Sequence, residues 1–315
     1  MLAWYDAHRR DLPWRSNTPD PYAVWLSEIM LQQTTVAAVI AYYRRFLARW
    51  PDVASLAAAE DGEVMREWAG LGYYSRARNL LAAARVMARD GFPADEAGWR
   101  QLPGVGRYTA AAVAAIALGQ RAVVVDGNVK RVVARLFAVE IPLPAEEEIY
   151  SLADQITPQD RSGDFAQAMM DLGATICTPR SPKCLLCPVR AHCRAYAQGD
   201  PADYPKRLAK KPRPERHATA WWIERDGQIA LERRPDKGLL GGMLGLPVSD
   251  GAGEGALFGR VTHVFTHFRL TLDVRRGSEN QLDGNVKWWP RETLDQAGLP
   301  TLFRKAVTVA MQEDA

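Results

Sequence analysis

Between Pro21 and about Gly199, apolar residues recur at intervals of three and four, and short Pro- or Gly-containing breaks separate the runs. That is the period of helices burying one face. It predicts successive helices over Tyr22 to Trp50, Val64 to Trp68, Arg76 to Arg89, Tyr108 to Leu118, Val129 to Val139 and Phe165 to Ile176. Asp20-Pro21 supplies a start signal for the first of them. Beyond the basic stretch near residue 210 the character changes. Ala218 to Glu224 and Gln228 to Arg233 are β-type runs flanking Arg225-Asp226-Gly227, a hairpin signal. Further strands are expected at Gly259 to Val264, Phe268 to Val274 and Val286 to Trp289, and a helix at Thr301 to Gln312. The chain therefore reads as an all-α part followed by an α+β part, with no internal repeat and no low-complexity tract.

A length of 315 residues suits two or three domains. The apolar fraction of 47%, charged fraction of 24% and formal charge of +3 are ordinary for a globular protein and exclude disorder. Charge distribution says more than net charge. Lys206, Arg207, Lys210, Lys211, Arg213 and Arg216 crowd one stretch that also holds Pro201, Pro205, Pro212 and Pro214, which predicts a stiff basic linker over 201–216. No signal-peptide pattern and no membrane-spanning apolar run is present, so an intracellular, soluble protein is expected.

All four cysteines fall in one window, as Cys177-x6-Cys184-x2-Cys187-x5-Cys193, whereas disulfide stapling would spread them. Four thiolates in so compact a segment can close around a tetrahedral zinc or a four-iron cluster. A single C-x2-C pair leans towards iron and sulfur, and either group would be structural, since no coordination position is left open.

Leu102-Pro103-Gly104-Val105-Gly106-Arg107-Tyr108-Thr109, followed by an Ala-rich helix, is a helix-hairpin-helix signature. Gly104 and Gly106 let the backbone adopt positive φ and approach a ligand, and the first N–H groups of the next helix can meet a phosphate oxygen. A contact of this kind positions DNA without reading its sequence.

Two carboxylates have opposed surroundings. Glu28 lies well inside a helix among apolar neighbours, where burial would raise its pKa and keep a proton available near neutrality. Asp126 follows Ala122-Val123-Val124-Val125 and is placed to cap the next helix, where backbone N–H groups should keep it ionised. Such a pair suggests an acid beside an electrostatic stabiliser or nucleophile.

The chain resembles the helix-hairpin-helix glycosylases, and among them the MutY-type adenine DNA glycosylases, over nearly its whole length. The resemblance rests on Leu12-Pro13-Trp14-Arg15, Trp25-Leu26-Ser27-Glu28-Ile29-Met30-Leu31-Gln32-Gln33-Thr34, the run from Gly70 to Asn79, the hairpin, Asp126-Gly127-Asn128-Val129-Lys130-Arg131, Met169-Met170-Asp171-Leu172-Gly173 and the cysteine spacing. It implies one [4Fe-4S] cluster held by the four cysteines. It also implies a helical region over 1–200, with a six-helix part at about 21–125 carrying the hairpin at 102–109 and a cluster part made of about 1–20 and 126–200. A MutT-like, Nudix-fold domain for lesion recognition would cover 217–315.

By the same resemblance Glu28 would protonate N7 of an extruded adenine and Asp126 would face the oxocarbenium-like sugar, with Tyr108 and Asn128 in support. Trp14 and Arg15 would line the adenine pocket. Gln33 and Tyr73 would act at the opposite base, and Gln32, Thr34, Gly104, Gly106 and Arg107 belong to the DNA-facing set. Phe265-Thr266-His267 stands where the family reads the lesion with Phe-Ser-His. A Nudix catalytic box needs Glu six residues after its Gly; after Gly238 that residue is Leu244, so hydrolase chemistry is not expected there.

The implied partner is double-stranded DNA with adenine opposite 8-oxoguanine or guanine. The implied state is a monomer in the bacterial cytoplasm at the nucleoid. Two rivals are an endonuclease III-like lyase, which would need a lysine where Tyr108 stands, and a non-catalytic cluster-containing DNA-binding protein.

Overall fold

A computed structural model of the chain describes residues 1–208, 212–235, 238–265, 267–282 and 286–313. In chain order the helices are α1 (Leu2–His8), α2 (Pro21–Leu31), α3 (Val36–Arg49), α4 (Val53–Ala57), α5 (Asp61–Trp68), α6 (Ser75–Asp90), α7 (Glu96–Arg100), α8 (Arg107–Ile116), α9 (Gly127–Phe137), α10 (Glu146–Ile156), α11 (Ser162–Thr175), α12 (Arg194–Ala197) and α13 (Thr301–Glu313). Among the described residues no helix is long and apolar enough to cross a membrane. The chain divides into two compact units, Met1–Ala58 with Asn79–Lys210, and Ala59–Arg78 with Lys211–Ala315.

The first unit is helical. Pro21 starts α2 at a position where its missing N–H is no loss, and the Asp20 carboxylate accepts from Tyr22 N at 3.0 Å. The single helix expected over Tyr22 to Trp50 is two. Gln33 sits at φ +56° between them, and Thr35 begins α3 afresh by accepting from Ala38 N. A left-handed residue cannot continue an α-helix, so the break follows from local geometry that a count of apolar residues does not register. The periodicity reading also missed α10, whose first turn is Glu146, Glu147 and Glu148 and whose buried face is only Ile149, Tyr150 and Ala153.

Small residues bring the helices of this unit close. Ala111, Ala112, Ala114 and Ala115 of α8 are buried with Ala166 of α11, and a Cβ on Gly163 would lie 2.4 Å from the Ala115 carbonyl oxygen. Gly173 of α11 is likewise pressed against α9, where a Cβ would fall 2.5 Å from that of Asn128. These approaches set where the start of α9, and with it Asp126, sits. The basic stretch is not uniform: Leu143 N donates to Lys206 O at 3.0 Å, and Arg135 Nε donates to Tyr204 O at 2.9 Å, so its first residues are packed on this unit.

In the second unit the strands are β1 (Glu215–Trp222), β2 (Glu224–Arg225), β3 (Gln228–Arg233), β4 (Leu244–Gly245), β5 (Val248–Asp250), β6 (Leu257–Val264), β7 (Arg269–Arg276) and β8 (Val286–Pro290). One sheet runs β5-β1-β7-β6 with β1 and β7 parallel; the other runs β2-β3-β4 with β8 also on β3. The expected hairpin forms only at its tip. Arg225 pairs with Gln228 across Asp226 and Gly227, both at positive φ as a tight two-residue turn requires, but β1 leaves for the other sheet before it can pair with β3. Leu302, Phe303, Ala306, Val307 and Ala310 give α13 one apolar face, buried with Leu270, Leu272 and Val274 of β7.

Candidate active site

α2 is buried on nearly every side, with Trp25, Leu26 and Met30 fully covered, and Glu28 rides in it at 4% exposure. A carboxyl carried into such surroundings loses water, and burial pushes the pKa of Glu28 from 4.5 up to about 7. The Tyr108 hydroxyl, delivered by the first turn of α8, donates to Glu28 Oε2 at 2.5 Å and moderates that rise; the negative charge of Asp126 adds to it. Tyr108 is half-buried, and loss of water raises its pKa well above its ordinary value and keeps it a donor.

Asp126 is the N-cap of α9. Its Oδ1 accepts from Val129 N at 2.6 Å and its Oδ2 from Asn128 Nδ2 at 2.8 Å. The expectation weighed only these donors, which favour the anion. Burial outweighs them, and the pKa of Asp126 is raised, not lowered. The contrast with Glu28 is thus one of degree: both carboxyls are desolvated, and Asp126 keeps backbone and amide donors for its anion while Glu28 has one hydroxyl.

Behind Asp126 a chain of hydrogen bonds leads to the cysteine segment. Arg131 Nη2 donates to Asn128 Oδ1 at 2.8 Å and to Gly173 O at 2.6 Å, and its Nε donates to Cys177 O at 2.8 Å. One turn on, the buried Arg135 donates to Cys177 Sγ at 3.3 Å and to the carbonyls of Thr178 and Pro179. One arginine from each of two successive turns of α9 therefore orders the loop that carries the cysteines.

A cavity of about 1100 Å³ receives Glu28, Tyr108, Asp126 and Asn128 together with Trp14, Arg15, Gln32, Gln33, Thr34, Gly106 and Arg107. Arg15 is fixed in its wall. Its Nη1 and Nη2 donate to Asp171 Oδ2 and Oδ1 at 2.6 and 2.8 Å, and Arg10 Nε adds a third bond at 2.6 Å. Burial works to raise the Asp171 pKa, but these two arginines outweigh it and hold the carboxyl below its ordinary value. Gln32 Nε2 reaches Thr109 Oγ1 at 3.2 Å, joining the end of α2 to the hairpin helix. Gln167, Met170 and Ala174 also line the cavity. Their spacing of three and four along α11 puts them on one helix face, and nothing in their residue types marked that face as lining a site.

Gly104 lies outside the cavity and shapes the hairpin, with φ +74° and no room for a Cβ, which would stand 2.6 Å from that of Asn79. Gly106 is the N-cap of α8 and supplies no side-chain cap, so the first N–H groups of that helix have no capping side chain. Arg107 lies over the Tyr150 ring at 3.5 Å. Tyr73, Phe265 and His267 line a separate cavity in the second unit, of about 490 Å³, and Thr266 lies outside the described residues. Tyr73 is 45% exposed and, like Gln33, in the left-handed region, at φ +48°.

Cys177, Cys184, Cys187 and Cys193 all line one small cavity closed by Arg135 and Pro182. Among the described residues no three His, Cys, Asp or Glu side chains converge where one metal ion could sit. Four thiols ringing a space, with an arginine donating to one sulfur, fit a cluster of several irons better than a single zinc. In the second unit the first helix or strand after Gly238 among the described residues is β4, which begins at Leu244, where a Nudix box would need Glu.

A hairpin-presented helix N-terminus, a buried carboxyl in a deep cavity and a four-cysteine loop define a base-excision DNA repair protein. Residues 26–159 match the HhH-GPD superfamily base excision DNA repair protein model, 177–193 the iron-sulfur binding domain of endonuclease III, and 218–309 the NUDIX domain. Two solved structures share the helical fold. One is a thermostable thymine-DNA glycosylase, 33% identical with TM-score 0.58 over 62% of this chain and 93% of that one. The other is an endonuclease III–DNA complex, 24% identical with TM-score 0.54 over 62% and 92%. Adenine DNA glycosylase from Homo sapiens is 34% identical over 98% of this chain and 73% of its own length, and that from Arabidopsis thaliana 39% identical over 99% and 64%. The chain belongs to the adenine DNA glycosylase family. As the cysteine spacing and the iron-sulfur match require, it carries one [4Fe-4S] cluster, and its macromolecular partner is DNA.

Proposed function

We propose that this enzyme hydrolyses the N-glycosidic bond of adenine mispaired with 8-oxoguanine or guanine in duplex DNA and leaves the strand uncut. The observation that carries this reading is Glu28, buried and set near pH 7, opening onto the same cavity as the capped Asp126. At neutral pH a group so poised can give its proton to N7 of adenine. The bond from C1′ to N9 then breaks with its electron pair moving onto the base, and the Asp126 carboxylate stabilises or bonds the positive sugar carbon. Water adds to that carbon, and its proton is returned to a carboxylate. Tyr108 orients Glu28, Asn128 orients Asp126, and Trp14 and Arg15 form the wall against which the base would lie. The four cysteines would hold the cluster, which supplies a structural anchor for the loop beside α9.

Adenine reaches such a cavity only by leaving the stack, and unstacking is easier at a mispair. Gln33 and Tyr73 support this role, because each keeps a non-glycine side chain in a left-handed conformation costing about 1 kcal/mol or more, and such strain gathers at functional positions. The lyase alternative is disfavoured by two observations. Tyr108 stands where a lyase would need its amine, and Lys130, which lines the cavity, is ion-paired with Glu146.

The test is single-turnover base release from duplexes with adenine opposite 8-oxoguanine, guanine or thymine, with and without later alkali. Breaks at the adenine of the first two duplexes, seen only after alkali, are expected. Breaks without alkali would establish lyase chemistry, and no release by cluster-loaded protein would leave only DNA binding.

A further inference from the structure

Within the second unit, Ala59–Arg78 packs against the sheet-bearing part at two points. A Cβ on Gly298, itself at φ +69°, would lie 3.1 Å from Arg66 Cγ, so α5 and the turn before α13 touch closely. Near the start of α6, Arg78 Nη1 donates to the carbonyl of Gly241. Gly241 belongs to the turn Gly238–Gly242, which is wound tightly: Gly238, Leu240 and Gly242 all have positive φ, Gly242 N donates to Arg234 O at 3.1 Å, and Met243 N donates to Leu240 O at 3.2 Å. Gly241 and Gly242 are buried, and each carbonyl takes one guanidinium, Gly241 that of Arg78 and Gly242 that of Arg233 at 2.8 Å.

Arg78, on the helix that follows Tyr73, is therefore bonded to Gly241, and both Tyr73 and Gly241 line the 490 Å³ cavity. Tyr73, Leu240, Gly241, His263, Phe265 and His267 all line that cavity. The loop bearing Tyr73 is ordered separately, since Arg76 Nη2 donates to Leu71 O and Gly72 O at 3.0 and 3.2 Å and Trp68 Nε1 donates to Gly72 O at 3.1 Å. The Arg78 bond runs from this ordered segment to the Gly238–Gly242 turn.

We infer that Arg78 is a positioning residue for selectivity at the base opposite adenine: it sets the span between the Tyr73 loop and the Gly238–Gly242 turn, without touching the reacting adenine. The inference rests on the proposed reading of the second unit as a lesion-reading module. A buried carbonyl deprived of a charged donor shifts a conformational equilibrium by about tenfold or more, and the cavity wall would spend less time in the shape that distinguishes 8-oxoguanine from guanine.

The experiment compares Arg78→Met, which keeps the apolar stem, and Arg78→Lys, which keeps one donor, with the unsubstituted chain, all as cluster-loaded full-length protein. Affinities for duplexes with adenine opposite 8-oxoguanine or guanine are read in a Glu28→Gln background, so that no substrate is consumed. Rates at saturating enzyme are read with Glu28 in place. Arg78→Met should lower the 8-oxoguanine-to-guanine affinity ratio about tenfold, Arg78→Lys should retain part of it, and the saturated rate of adenine release should move less than about threefold. An unchanged ratio, or equal losses on both duplexes, would overturn the inference and leave Arg78 a structural residue. If the unsubstituted enzyme itself shows no preference, the lesion-reading function falls and the inference with it; a preference retained by Arg78→Met sinks the inference alone.

Discussion

Glu28→Gln should do two opposite things to this protein. Glu28 takes up its proton near pH 7 in the folded chain against 4.5 when free. Between these values the native state binds more protons than the unfolded one, so stability falls as pH rises through that window and is level above it. The shift corresponds to a penalty on the order of 3 kcal/mol borne by the native enzyme above pH 7. An amide of the same size carries no charge at any pH and can still accept the Tyr108 hydroxyl. Glu28→Gln should therefore match the native enzyme closely at pH 5 and exceed it by about 3 kcal/mol at pH 8. Adenine release should meanwhile drop by about 10² to 10⁴, because the proton donor is gone. Urea unfolding of the cluster-loaded proteins at both pH values gives the stability difference, and the single-turnover assay gives the rate. A stability difference that does not change between pH 5 and pH 8 would refute the assignment of a buried, raised carboxyl at position 28.

Other outcomes follow from the same geometry. Tyr108→Phe removes the donor that moderates the Glu28 pKa, so the alkaline limb of the pH–rate profile should move upward even as the maximal rate falls; a downward move would contradict the hydrogen-bond direction. Asp126→Asn, which loses the anion but keeps the cap, should abolish most base release with little change in melting temperature, measured by circular dichroism. Gly104→Ala forces a Cβ to 2.6 Å from that of Asn79 at a positive φ; duplex affinity should fall for every sequence alike, in filter binding at fixed salt. Cys184→Ser should lower the visible absorbance of the cluster and loosen the segment ordered by Arg135, so that trypsin cuts near Arg180 to Arg194 sooner than in the native protein.

Much of this was legible in the order of residues, for local reasons. Helical periodicity, the Asp20-Pro21 start, the Gly104/Gly106 hairpin and the strands flanking Asp226-Gly227 are short-range physics, acting within a turn or two of chain. The cysteine window announced a cluster because four soft ligands so close together have few other uses. Burial of Glu28 could be read from its apolar neighbours, since an acid inside an apolar stretch of helix is carried away from most of its water.

What sequence left open is what depends on residues far apart in the chain. That Glu28, Tyr108 and Asp126 share one cavity is decided by close helix approaches, such as Gly163 against Ala115 and Gly173 against Asn128. The balance on Asp126 was misjudged because its cap is local and visible in the sequence, whereas the burial that outweighs it comes from elements packed over it. Gln33 and Tyr73 gave no sign of their left-handed backbones, which no side-chain pattern encodes. The assignment of Ala59–Arg78 to the same compact unit as the C-terminal sheets, and the Arg78 bond to Gly241 within it, likewise had no local signature. Local propensity and composition determine which elements and ligands this chain can make; burial and the geometry of contacts between distant segments determine which of its charges are silenced and which are set to react.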